Sequence, residues 1–374
     1  MLKAATLAAT LLMTVAAAQG AQTYPDLPTG IKNGVGGRIG DTIYVGLGTA
    51  GQKFYALDLS QTERQWKEVA PFPDAARDQA ASAVLGDRLY VFGGMGKSSP
   101  EATTSVFNQV HVYDPTSNTW SLLATRAPRE IAGGVATVQG DQIILFGGVN
   151  KNIFDGYFRD LAAAGSDAAR SAAVARAYFE QRPQDYFFGR DVEAYTPAAN
   201  TWQAIGVLPF GGRAGAALVN ENGTLTVVGG EIKPGLRSPT VKRGTLQDGS
   251  LQWHNLPSPA DRSLQDGLAG AFAGTSHGAL LVSGGANFPG SNARFAAGHL
   301  YAHEDLPKTW HSDVYALRGD RWTVVGQLPQ AQGYGLSVQR GDEIVLVGGE
   351  LKGGTPSTQV FSIELGGDAI RIRD

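Results

Sequence analysis

The segment Glu231-Ile232-Lys233-Pro234-Gly235-Leu236-Arg237 sets a carboxylate and a guanidinium on either side of a Pro-Gly turn. Such a turn brings its flanks together, so both side chains can reach one ligand. A carboxylate beside a reacting hydroxyl acts as a base and can return the proton. A guanidinium holds a carboxylate through two parallel hydrogen bonds. The pair suits proton transfer on a small anion. The competing reading is an ion pair that only ties the loop, and on spacing alone that is the commoner outcome. Further polar candidates are Arg77 with Asp78, Asn150, Lys233, Asn287, His303 with Glu304, and Tyr334. Cysteine is absent, which excludes disulfides and thiolate chemistry. The six histidines are scattered; His299 and His303 are four apart but lack the H-E-x-x-H pattern. No metal and no cofactor is expected.

The elements that must carry these residues repeat. An apolar strand ending in Gly-Gly, or nearly so, occurs at 43–48, 89–94, 143–148, 225–230, 280–285 and 344–349. Upstream of each lies a small, Gly/Ala-rich strand. The joining turns include Gly40-Asp41, Gly86-Asp87, Gly140-Asp141 and Gly341-Asp342, pairs suited to positive φ. Downstream come a third strand and a fourth that often carries tryptophan: Trp66, Trp120, Trp202, Trp253 and Trp322. Four antiparallel strands make one propeller blade, and the repeat resembles the kelch repeat. The expected fold is all-β: a six-bladed kelch-type β-propeller with a helical insertion in one blade loop. Glycines would allow close backbone approach and tryptophans would pack between blades. Asp368 to Arg373 can supply the last outer strand, while Tyr24 to Pro28 resembles the segment after each tryptophan.

In an up-and-down meander, alternate loops share a face. The loops after each Gly-Gly and those leading into each blade therefore open on one side, and nearly all the irregular sequence lies there. The candidate residues fall in these loops, at one mouth of the central channel. For Arg77 and Asp78 an inter-blade ion pair competes with a binding role; for His303 and Glu304 a loop-ordering hydrogen bond does. The longest loop is expected to hold a helix, capped by Ser166-Asp167 and running from Ala168 to Gln181 before Pro183, within an insertion at about 157–183.

Composition narrows the partners. The net charge is −3 and charged residues are sparse, which argues against nucleic acid. Lys3, the apolar run Ala4–Ala17 and the small-residue site Ala16-Ala17-Ala18 read as a signal peptide over residues 1–18. Residues 19–374 then form one propeller domain, and no later segment has the pattern of a membrane span. A periplasmic location is expected, and the sequence assigns no oligomeric state.

Gly229-Gly230-Glu231-Ile232-Lys233-Pro234-Gly235-Leu236-Arg237 closely resembles the G-E-x-K-P-G-L-R segment of bacterial N-acetylneuraminate epimerases, the sialic acid mutarotases. Arg77-Asp78-Gln79-Ala80, Asn150 to Phe154, Asp185 to Phe188 and Tyr301-Ala302-His303-Glu304 resemble that family too. The likeness runs from about Tyr24 to the C-terminus and includes the helical insertion. It implies an exported enzyme that converts the α-anomer of free N-acetylneuraminate to the β-anomer. It implies Glu231 as proton acceptor and Arg237 as the second catalytic residue, with Arg77, Asn150, Lys233, Asn287, His303, Glu304 and Tyr334 as substrate-binding candidates. One departure is the loop Ala286 to Ser291, with Asn and Pro where Gly and Lys are expected. A non-catalytic kelch propeller binding a glycan or protein is the alternative. A copper oxidase of the galactose-oxidase kind would need a Cys–Tyr crosslink. A sialidase would need S-x-D-x-G-x-x-W boxes, which are missing.

Overall fold

The computed structural model describes residues 24–247, 250–258 and 265–374, so the proposed signal peptide at 1–18 lies outside the described residues. Six four-stranded antiparallel sheets form the blades. Blade one comprises Val35–Ile39, Thr42–Gly46, Phe54–Asp58 and Trp66–Val69; blade six comprises Leu336–Arg340, Glu343–Val347, Val360–Gly366 and Ala369–Arg373. The first strand of each blade packs against its counterparts in the two neighbouring blades, closing a ring. The expected two-residue hairpin turns are present. Ile39 pairs with Thr42 and Arg340 with Glu343, around Gly40 at φ 57° and Gly341 at φ 60°.

Every blade keeps its own four strands, and the ring closes without strand exchange. Ala369–Arg373 is indeed the last outer strand. The segment after Tyr24 does the splicing: Leu27 N–H donates to Thr358 O at 2.8 Å and Ile31 N–H to Ser357 O at 3.0 Å. The Trp66 indole donates to Pro25 O at 2.8 Å, just as Trp120 donates to Ala70 O at 2.9 Å and Trp322 to Pro257 O at 2.7 Å. Tyr24 to Pro28 therefore stands where a preceding blade's exit would stand.

Tryptophans pack between blades, as their position suggested. Trp120 of blade two meets Phe54 of blade one edge-on at 4.9 Å, and Trp202 of blade three meets Phe92 of blade two at 6.0 Å.

Two rings of backbone hydrogen bonds hold the blades in register at the loop-rich face. The second glycine of each pair donates to the next blade, as in Gly148 to Arg213 O at 2.7 Å and Gly230 to Leu268 O at 2.7 Å. The first glycine sits so close that a Cβ on Gly229 would lie 2.3 Å from Leu268 O. The glycines thus serve the blade-to-blade joint. Nearer the axis a second ring runs Asn33, Tyr334, Gly270, Gly215, Gly133, Gln79 and back to Asn33. Each N–H donates to the next carbonyl at 2.7–3.1 Å. All six residues have φ between 54° and 71°. Three blades fill this left-handed position with glycine, and three do not.

The insertion in blade three holds two helices, a correction to the single helix expected. Helix α1 is Lys151–Ala164 and α2 is Ala168–Phe179. The start at Lys151 also lies ahead of the expected boundary at 157. Gly156 inside α1 and its run of aromatics hid the helical pattern. Those aromatics make the tertiary contacts: Tyr157 stacks on Tyr178 at 4.1 Å, and Phe179 stacks on Tyr301 of blade five at 4.9 Å.

Candidate functional site

Glu231 follows the Gly229-Gly230 pair of blade four. Its N–H donates to Ala214 O at 2.7 Å and its carbonyl accepts from Ala214 N at 3.0 Å. The chain then folds into a small hairpin, Glu231–Lys233 against Leu236–Arg237, in which Glu231 and Arg237 are cross-strand partners. The Pro-Gly turn thus delivers what its spacing suggested: Arg237 Nη2 meets Glu231 Oε1 at 2.8 Å. The turn has little room. Gly235 sits at φ 81°, where a Cβ would lie 1.8 Å from the His303 ring. Helix α3 (Ser291–Ala296) fixes the other end, with Asn292 Nδ2 donating to Arg237 O at 3.1 Å.

The two partners differ in exposure. The Glu231 side chain is 24% exposed and that of Arg237 only 4%. The guanidinium lies over the Phe288 ring at 4.5 Å. Burial opposes its charge, but Glu231, Tyr334 and Glu350 outweigh that and raise its pKa. Nη2 also points at the Tyr334 hydroxyl at 3.5 Å, while Nε and Nη1 have no hydrogen-bond partner among the described residues. Nε and Nη1 are buried, and the two Nη2 hydrogens face Glu231 and Tyr334, so a carboxylate reaching the guanidinium competes with those two groups for Nη2.

Glu231, Arg237, Tyr334, Lys308 and Glu350 line one cavity of about 510 Å³ that opens into the central channel. That size is ordinary for a small-molecule site. Glu350 is held by Lys32 at 2.8 Å, by Lys308, and by the Trp310 indole at 3.1 Å. Burial pushes its carboxyl pKa up, but hydrogen bonds and charge from Lys308 and Lys32 pull it below the usual range. The Lys308 ammonium sits over the Tyr334 ring at 4.4 Å and the Trp310 ring at 4.9 Å.

Of the nine site residues expected from sequence, the structure brings Glu231, Arg237 and Tyr334 to this cavity. The others stand elsewhere. Arg77 is buried and donates to Gly93 O at 3.0 Å and to Asp74 at 2.7 Å, as Arg129 donates to Gly147 O at 2.7 Å. These arginines satisfy carbonyls at the Gly-Gly joint. Lys233 is wholly buried, its ammonium donating to Phe179 O, Gln181 O and Leu300 O at 2.6–2.7 Å. It caps the C-terminal end of α2 and ties it to blade five. Desolvation lowers its pKa to about 8. Asn287 is buried, its Nδ2 donating to Gly267 O at 2.9 Å, and it contacts His311.

Asn150 is the N-cap of α1, accepting from Ile153 N at 3.3 Å, and it lines a separate cavity of about 940 Å³ beneath the insertion. His303 packs among Phe179, Phe288 and Tyr301 and buttresses the Pro-Gly turn. Burial first, then Arg237 and Lys233, lower its pKa to about 4, so the ring is neutral. Glu304 is partly exposed and pairs with Arg176 of α2. Sequence reasoning missed Lys308. Its one local signal is the flanking Pro307 and Trp310; its partners come from other parts of the chain. Among the described residues no group of three His, Asp or Glu side chains is arranged to hold a metal.

Six kelch-type blades and a carboxylate–guanidinium pair in the channel cavity define a propeller with a charged pocket at one mouth. The chain belongs to the N-acetylneuraminate epimerase family, whose model matches residues 24–372. It is similar to an N-acetylneuraminate epimerase of Yersinia pestis (strain Pestoides F), 48% identical over 94% of this chain and 91% of the relative. The Haemophilus influenzae (strain PittEE) protein of that name is 47% identical over 97% of both chains. The solved structure of YjhT superposes with a TM-score of 0.90 at 38% identity, covering 94% of this chain and 99% of the other.

Proposed function

We propose that this chain is an exported mutarotase that converts the α-anomer of free N-acetylneuraminate to the β-anomer. The observation that carries the mechanism is the Glu231–Arg237 pair, half open to the channel cavity. Sialic acid bears a carboxylate on its anomeric carbon. Arg237 binds that carboxylate through Nη2 and so fixes the reacting centre. The sugar carboxylate thereby takes over the hydrogen bond that Glu231 holds at rest. Glu231, released, removes the anomeric hydroxyl proton. The ring opens to a ketone as its oxygen takes a proton, and the carbonyl turns its other face. On reclosure the ring hydroxyl gives up that proton and Glu231 returns its own to the carbonyl oxygen.

The signal-like residues 1–18 support export to the periplasm. No helix among the described residues is long and apolar enough to cross a membrane. Proton NMR of freshly released α-sialic acid tests the catalytic reading. The expected result is anomer exchange far faster with the protein than without it; equal rates would refute enzymatic function.

A further inference from the structure

We propose that Tyr334 is the acid that protonates the ring oxygen when the sugar opens, with Lys308 as its counter-charge; this rests on the mutarotase reading above. The first observation is its backbone. Tyr334 holds φ 58° at the axial ring position where blades three, four and five use glycine. Asn33 and Gln79 hold the same φ in blades one and two, but Tyr334 is the one aromatic side chain in this left-handed ring, where bulk is disfavoured. The ring of hydrogen bonds enforces the conformation: Tyr334 N–H donates to Gly270 O at 2.7 Å, and its carbonyl accepts from Asn33 at 2.8 Å. Gly270 completes the arrangement, because a Cβ there would lie 2.4 Å from the Tyr334 ring.

The second observation is what surrounds the phenol. Its oxygen accepts from Arg237 Nη2 at 3.5 Å, which leaves its own O–H proton free to donate into the cavity. Arg237 is the group assigned to the sugar carboxylate, so the phenol stands beside the anomeric carbon, where the ring oxygen must also lie. The Lys308 ammonium, 4.4 Å from the ring centroid, is pinned by Glu350.

The step balances. Glu231 takes the proton from the anomeric O–H, and that O–H electron pair becomes the new carbonyl bond. The bond from the anomeric carbon to the ring oxygen breaks, and the oxygen takes the Tyr334 proton. The resulting phenolate lies between Arg237 and Lys308. Reclosure on the other carbonyl face runs the same transfers in reverse, restoring both residues.

Tyr334→Phe keeps the ring and its packing and removes the hydroxyl, and with it the transferable proton and the long contact from Arg237 Nη2. By NMR exchange rates at several sugar concentrations, kcat is expected to fall about 10²–10³-fold with KM within about threefold. Lys308→Met is expected to lower kcat about tenfold. Unchanged melting temperatures would show both variants folded. A Tyr334→Phe variant with near-wild-type kcat, or with raised KM alone, overturns the acid role. Unchanged kcat in Lys308→Met overturns the counter-charge. A wild type that fails to exchange anomers overturns the mutarotase reading itself, and this proposal with it.

Discussion

Blade four and blade six each place a glutamate directly after the Gly-Gly pair. Both bond the same way to the loop entering their blade: Glu231 with Ala214, and Glu350 opposite Gly333. The two carboxylates end in different states. Glu350 is closed in by two ammonium groups and an indole, with 8% of its side chain exposed. Glu231 has one charged partner and is 24% exposed. The axial ring position differs as well, Gly215 in blade four and Tyr334 in blade six. Equivalent scaffold positions have been divided between two jobs. Blade four offers a base that a competing anion can release; blade six supplies fixed charge and, on our proposal, a proton donor. A base must be free to change partner during the reaction, and a counter-charge must not.

The sharpest way to break this comparison is to neutralise each glutamate. Glu231→Gln is expected to lower kcat about 10³-fold, within the range for loss of a general base. Glu350→Gln is expected to lower it by about tenfold at most, through loosened Lys308. Steady-state exchange rates compare them directly. Comparable losses in both variants would mean that the two sites share one function.

Stability gives a separate readout for Glu350. Glu350→Gln strands two lysines that can still reach water, costing roughly 2 kcal/mol, less than the removal of one member of a wholly buried pair. Its folded pKa lies below the unfolded value near 4.3, so its contribution is complete above that pH. The contribution is lost as pH falls through the lower folded value. Denaturant melts should therefore show wild type and Glu350→Gln far apart at neutral pH and converging below about pH 4.

Alanine at the two neighbouring ring glycines refines the contrast between blades. Gly215→Ala and Gly270→Ala force the same left-handed φ, 62° and 65°, on a side chain. At Gly215 the nearest atom to a new Cβ is 3.7 Å away, while at Gly270 the Tyr334 ring is at 2.4 Å. The first should cost about 1 kcal/mol and leave kcat within about twofold. The second should add a clash and lower kcat about tenfold by moving Tyr334. Equal effects on rate would detach Tyr334 from the chemistry.

Much of this was legible because the chain repeats. The six Gly-Gly strands gave the blade number and sorted loops by face, and the Pro-Gly spacing gave the Glu231–Arg237 hairpin. Face sorting says where backbone goes, not where side chains point. Arg77 lies in a loop on the correct face, yet its guanidinium turns inward to a Gly-Gly carbonyl, as Arg213 does at 2.5 Å in blade four. A cation that recurs at equivalent places serves the scaffold, and that recurrence was a usable sign. Lys233 is two residues from Glu231, so plain strand alternation would aim both side chains the same way. The register shift between them breaks that alternation, and Lys233 goes under α2. Lys308 was invisible because its partners, Tyr334 and Glu350, are assembled only by the fold.

The smallest expected effect concerns the support behind the blade-four turn. His303 wedges behind the Pro-Gly turn, with its pKa lowered to about 4 by burial and then by Arg237 and Lys233. Unfolded histidine takes a proton near pH 6.5, whereas folded His303 stays neutral until about pH 4. The unfolded state therefore binds more protons across that window, so stability rises with pH through it. His111, lowered to about 4 by burial and by Arg77, acts in the same direction. His303→Gln removes one of these two terms. Denaturant midpoints should then depend less steeply on pH between about 4 and 6.5, by about half of the histidine contribution. An unchanged slope would mean that His303 is protonated in the folded protein. Its charge would then stand beside Arg237, where it would compete with the guanidinium for the arriving anion.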